Sequence, residues 1–149
     1  AANPCPCGHA DARGDRCRCT SLQRRRYMAR LSGPIVDRID LRITLAPVRF
    51  LSGSTREESS ARIRERVCAA REAQLVNAQV SGRFLDQEMP LERADDAILV
   101  RAVERGRLTM RGRDRVRRVA WTLADLEGKA RPTSAHVATA LELRGEDAS

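Results

Sequence analysis

Four cysteines fall within a stretch of fifteen residues as two tight pairs, Cys5-Pro6-Cys7 and Cys17-Arg18-Cys19, with Gly8 and Gly14 between them. Two such pairs joined by a turn can wrap four thiolates around one zinc ion in a tetrahedron. The Cys-x-Cys spacing is tighter than the usual Cys-x-x-Cys, and His9 is available as a replacement ligand. Free thiols are the competing reading. Disulfides are disfavoured in a reducing cytosol, and Ala1-Ala2-Asn3-Pro4 does not read as a secretory signal. No general base lies beside the cluster, so a metal there is expected to be structural. Cys68, alone in a helical pattern, is expected to be a buried small hydrophobe.

The stretch LSGPIVDRIDL, residues 31–41, is the second constraint. Gly33-Pro34 breaks one helical segment, and Pro34 suits the first position of another. Ile39, Leu41, Ile43 and Leu45 then alternate with Asp40, Arg42, Thr44 and Ala46, which predicts a strand ending at Pro47. Arg38 falls at the helix-to-strand junction, flanked by Asp37 and Asp40. A guanidinium held in a short, stiff junction suits phosphate oxygens and never loses its charge. On local sequence alone, pairing with Asp37 or Asp40 at the surface is the favoured reading.

Helical patterning fills the rest. SLQRRRYMARL, from Ser21, places Leu22, Met28 and Leu31 inward. Residues 47–56, with Ser52-Gly53-Ser54, read as a linker. A long helix is expected from Glu57 to about Gln79, with Ile63, Val67, Ala70 and Gln74 on one face, supported by a Glu58–Arg62 pair. Gly82 stops it, and residues 83–91 form a connector. A helix over 91–105 carries Ala94, Ile98, Ala102 and Arg105 as its stripe, with Gly106 past its end. A third, from about Thr109 to Glu127, packs Val116, Val119, Ala120, Leu123 and Leu126, with Thr109 as N-cap. A fourth begins at Thr133 or Ser134 and buries Val137, Ala140 and Leu141. Four amphipathic helices with short connectors make a small bundle.

The net charge of +8 rests almost wholly on arginine, since Lys129 is the only lysine. Arg24, Arg25, Arg26 and Arg30 cluster in one stretch; Arg105, Arg107, Arg111, Arg113, Arg115, Arg117 and Arg118 cluster in another. Such clusters favour salt-sensitive attraction to phosphate backbones. Tyr27, Phe50, Phe84 and Trp121 are too scattered to form a base-stacking platform, which argues against sequence reading. No apolar run approaches the ~20 residues that span a bilayer, so a cytoplasmic piece of a longer polypeptide, without membrane contact, is expected.

AANPCPCG, LSGPIVDRIDL, RGRDRVRRVAWTLADL and HVATALELR follow one another in the order and spacing of one family. The chain resembles the C-terminal part of the ComM/YifB-type magnesium-chelatase-like AAA+ ATPases, from sensor 1 through the helical lid. The resemblance covers nearly the whole chain, is most specific at 1–8 and 31–41, and is loosest between 47 and 108. It implies a mainly α chain: a Cys-rich loop, a short helix and one strand from the end of an AAA+ core, then a lid bundle. The divisions implied are core with Cys-rich insert at 1–50, linker at 51–56, lid at 57–145 and tail at 146–149.

The resemblance also implies roles. Asn3 would be sensor 1, Arg38 an arginine finger reaching a neighbouring subunit's nucleotide in trans, and Arg111 sensor 2, with Arg113 and Arg115 as alternatives. ATP and Mg²⁺ would be bound in the complete protein, within a homo-oligomeric ring, expected to be a hexamer. DNA branch migration in competence is the expected work. A stand-alone zinc-binding, arginine-rich nucleic-acid module and a metal-chelatase subunit are the alternatives. These residues hold no Gly-x-x-x-x-Gly-Lys-Ser/Thr loop, because Gly128-Lys129 is followed by Ala130. By itself the chain is not expected to hydrolyse ATP.

Overall fold

Seven helices make up the described secondary structure: α1 (Ser21–Met28), α2 (Gly33–Val36), α3 (Ser60–Leu75), α4 (Leu85–Glu88), α5 (Arg93–Glu104), α6 (Met110–Leu126) and α7 (Ser134–Arg144). The computed structural model describes residues 1–10, 16–31, 33–45, 58–75 and 85–145. The expected linker at 51–56, the stop at Gly82 and the tail at 146–149 lie outside the described residues. The chain divides into two compact units, one of Ala1–Ile39 and Ile43–Ser54, the other of Asp40–Arg42 and Thr55–Ser149.

The second unit is organised around α6, which packs against α3, α5 and α7. Thr109 caps α6 as expected, its Oγ1 accepting the Gly112 N–H at 2.9 Å. Val116 and Ala120 of α6 meet Val137, Ala140 and Leu141 of α7, with Leu99 and Leu108 completing the core. A smaller cluster joins Leu85 and Met89, around α4, to Trp121. The one-turn α4 occupies part of the stretch expected to be only a connector. Of the stripe expected on α5, Ile98 and Ala102 pack against the core, but Ala94 and Arg105 are exposed, and the buried residues are Asp95 and Leu99. Asp95 tolerates this because Ser134 Oγ, in the first turn of α7, donates to its Oδ2 at 3.0 Å. A carboxylate there also faces the positive end of the α7 dipole.

On α3 the expected face is only partly correct. Ala70 is buried, but Ile63 is exposed. Cys68 is exposed too, against expectation; at 100° per residue it lies well off the direction of Ala70. Glu58 precedes the first turn of α3, so helical i,i+4 spacing does not govern its partner. It takes Arg66 in place of Arg62, through two hydrogen bonds of 2.9 and 3.0 Å.

In the first unit, α1 is fixed by Thr20. Its Oγ1 accepts the Gln23 N–H, and Gln23 Oε1 accepts the Thr20 N–H, a reciprocal capping box. The inward residues expected there are not inward: Leu22, Met28 and Leu31 are all exposed. Residues 41–45 adopt no strand, although they alternate as one would. A ladder needs a neighbouring strand, and the Arg42 N–H donates instead to the Leu143 carbonyl. Ile43 and Leu45 remain exposed, Leu45 at 87%.

Candidate functional site

The sequence-predicted residues fall into three places. The thiol cluster is the best defined. Cys5 Sγ lies 3.4 Å from Cys7 Sγ and 3.8 Å from Cys17 Sγ, and Cys7 Sγ lies 3.8 Å from Cys17 Sγ. With Cys19 included, all four sulfurs lie within 4.8 Å of one another, and none is in a disulfide. His9 is not among the grouped ligands. The turn that brings the first pair together is closed by the Gly8 N–H donating to the Cys5 carbonyl at 3.0 Å. Gly8 has φ +78°, a left-handed conformation that glycine adopts without strain. Backbone N–H groups of Cys7 and His9 point at the Cys5 sulfur. The N–H of His9, followed by the Cys5 thiol, favours the Cys7 thiolate and brings its pKa down to about 6. Four sulfurs this close cannot all ionise without a cation between them. Chemically, the cluster gathers four soft donors of the kind that suit a thiophilic metal ion.

Asn3 belongs to the same corner. A Cβ built on Gly8 would sit 3.8 Å from the Asn3 Cγ and Nδ2, so the amide lies directly over the glycine. Asn3 is exposed.

Arg38 follows α2 in a run of tight turns. The Asp37 N–H donates to the Gly33 carbonyl at 2.8 Å, Arg38 to Ile35 at 3.0 Å and Ile39 to Val36 at 3.1 Å. Arg38 itself is exposed. The backbone that presents it is therefore stiff, and the side chain is on the surface.

The third place is α6, where the basic cluster separates by role. Arg111 is exposed in the first turn. Arg113 is buried and bonds Asp86 and Asp96, each at 2.9 Å. Arg115 pairs with Asp40. Arg117 is 1% exposed; its Nη2 reaches Asp96 at 2.6 Å and Asp86 at 2.7 Å, while Nη1 faces the Leu85 and Met89 carbonyls. Burial, then the Arg113 charge alongside, lowers the Arg117 pKa. For Arg113 the cost of burial is outweighed by Asp86 and Asp96, and its pKa rises. Two arginines counted as part of a basic surface are thus internal ties between α4, α5 and α6. The sequence held a signal for this: Arg113, Val116, Arg117 and Ala120 follow the i, i+3, i+4, i+7 spacing of a buried face.

A helical bundle built on a capped central helix, preceded by a Cys-rich segment, is the layout of a lid domain in an AAA+ protein. Comparison with known proteins makes the assignment particular. The profile described as magnesium chelatase, subunit ChlI C-terminal, matches residues 57–144, and that described as magnesium chelatase, subunit ChlI, matches residues 1–52. The chain belongs to the magnesium-chelatase-like family of AAA+ ATPases and is of its ComM/YifB type. It is 36% identical over 152 residues to Competence protein ComM of Haemophilus influenzae, covering 97% of this chain and 30% of the relative. It is 37% identical over 155 residues to the uncharacterized protein YifB of Escherichia coli, covering 99% of this chain and 30% of the relative. An uncharacterized Mycobacterium tuberculosis protein is 42% identical over 154 residues, covering 97% of this chain and 30% of its own length. The chain therefore spans about 30% of the length of these relatives. No solved structure matches. No described helix is long and apolar enough to cross a membrane.

Proposed function

We propose that this chain is the C-terminal sensing portion of a ring-forming, cytoplasmic AAA+ motor that acts on DNA. Residues 1–50 would be the end of the ATPase core and 57–145 its lid. Arg38 reaches the γ-phosphate of the nucleotide held by the adjoining protomer, where it stabilises charge developing in phosphoryl transfer. Asn3 orients the attacking water in its own subunit. Arg111 reports the nucleotide's state to the lid; a cation in a first helical turn opposes the macrodipole, as expected of a residue kept for a ligand. Arg113 is the weaker sensor candidate, since it is buried whereas Arg111 is exposed. The thiol cluster takes a structural metal.

The observation behind this reading is the exposed Arg38 on a turn-stiffened junction, in a chain matched by the family along nearly its whole length. In the complete protein, Arg38→Ala is expected to lower ATP turnover by about 10³-fold or more while nucleotide affinity is retained. Turnover within a few-fold of the parent would dismiss the finger.

The family description favours a second reading, a chelatase subunit. ATP turnover stimulated by DNA and indifferent to a porphyrin distinguishes the motor. A stand-alone nucleic-acid module would bind DNA through the isolated chain with a steep salt dependence; the inward Arg113 and Arg117 leave it fewer surface cations.

A further inference from the structure

Among the described residues of the first unit, Cys5 is the only buried hydrophobic side chain. Leu22, Met28, Leu31, Ile35, Ile43 and Leu45 are all exposed. Among the described residues, apolar burial within this unit contributes little to its order. Small folds in this position are held by a metal or by disulfides. Here the sulfurs are unbonded yet assembled: Cys5, Cys7 and Cys17 lie 3.4 to 3.8 Å apart, and with Cys19 all four fall within 4.8 Å of one another. A tetrahedron with Zn–S bonds of about 2.3 Å has sulfur-to-sulfur edges of about 3.8 Å. A disulfide requires about 2.05 Å, and a cluster of several irons would need the sulfurs much further apart. The spacing is that of one tetrahedral ion.

We infer that Cys5, Cys7, Cys17 and Cys19 bind a single Zn²⁺, and that this ion ties residues 1–10 to residues 16–31 and seats Asn3 over Gly8. On binding, each sulfur that still carries a proton releases it to solvent as its Zn–S bond forms, and no oxidation state changes. The backbone N–H groups directed at Cys5 and Cys7 would hold those thiolates in place. Only the importance of seating Asn3 rests on the motor reading; the metal site does not.

The test uses the complete protein, purified without chelator, with metals measured by plasma mass spectrometry. About one zinc per chain is expected, falling to roughly a tenth of that or less in Cys17→Ser. Amide exchange is then followed in the parent protein before and after zinc is stripped. Peptides from residues 1–10 and 16–31 should exchange about tenfold faster or more once the metal is gone, with 85–145 unchanged. Iron in place of zinc, a metal-free protein with four titratable thiols, or two disulfides would each overturn the site. Zinc present, but with exchange in 1–10 and 16–31 indifferent to its removal, would overturn the tie between the two segments. Neither measurement involves ATP, so an Arg38→Ala variant that kept its turnover would leave the zinc result standing.

Discussion

The two units solve the same folding problem by different means. In the second, α6 gathers α5 and α7 around Leu99, Val116, Ala120 and Leu141, and α3 packs on α6 as well. In the first, the eight residues of α1 bury nothing, and its convergent feature is a knot of four sulfurs. One unit draws its order from apolar burial, distributed over many side chains and tolerant of losing any one. The other depends on four atoms, each indispensable to a tetrahedral site. The proposed chemistry follows the same division: Asn3 and Arg38 sit in the unit with little core, Arg111 in the unit with a large one.

The largest expected effect follows from that contrast. Stripping the metal should speed amide exchange across residues 1–10 and 16–31 about tenfold or more yet leave the bundle's unfolding transition where it was. If the bundle's midpoint shifted with metal content, the two units would share one cooperative fold and the distinction would fail. Next comes Leu99→Ala, at a fully buried position on α5. It should cost about 2–5 kcal/mol, as cavity-forming core truncations do, read by urea unfolding, with zinc content unaltered. Smaller, and aimed at the polar part of the bundle, is Asp96→Ala. It removes the carboxylate shared by Arg113 and Arg117, leaving both with Asp86, which is 64% exposed. Loss of about 3 kcal/mol is expected, since a buried guanidinium is left undercompensated. A change below 1 kcal/mol would mean that Asp86 and water suffice.

How much of this was legible depended on whether the partner surface lay within the same stretch of sequence. For α6 and α7 it did: the caps, the stop at Gly128 and the inward Val116, Ala120, Val137, Ala140 and Leu141 follow from helical spacing alone. The cysteine pairs were legible because their meaning is local chemistry. The alternation at 39–46 was misleading: period-2 patterning states which face would be buried, but a strand also needs a neighbour, and none of the described residues supplies one. Asp95 and Arg117 were missed for the opposite reason. Composition assigns charged side chains to water, and only the fold reveals that Ser134, Asp86 and Asp96 are waiting for them. The exposure of Arg38 and Arg111 fits their proposed roles, whereas the roles themselves came from resemblance, because an arginine's spacing does not name its ligand.

The finest test compares two threonines doing the same job in the two units. Thr109 caps α6, a helix with seven buried residues; Thr20 caps α1, which has none. Both hydroxyls accept a backbone N–H, at 2.9 Å and 3.2 Å, and Thr20 gains a second bond through Gln23. The Gln23 bond runs to the Thr20 backbone N–H and survives replacement by alanine, so each substitution removes one hydroxyl acceptor. By local geometry alone the two should cost about the same, whereas the difference between the units makes Thr20→Ala the milder. Thr109→Ala is expected to lower global stability by about 1 kcal/mol, because α6 can lose its first turn only by disturbing a shared core. Thr20→Ala should leave the urea midpoint unmoved and appear only as faster amide exchange within α1, a local fraying. Equal shifts in the midpoint would show that α1 belongs to the cooperative fold despite its exposed apolar side chains, and that something other than the thiol knot secures it.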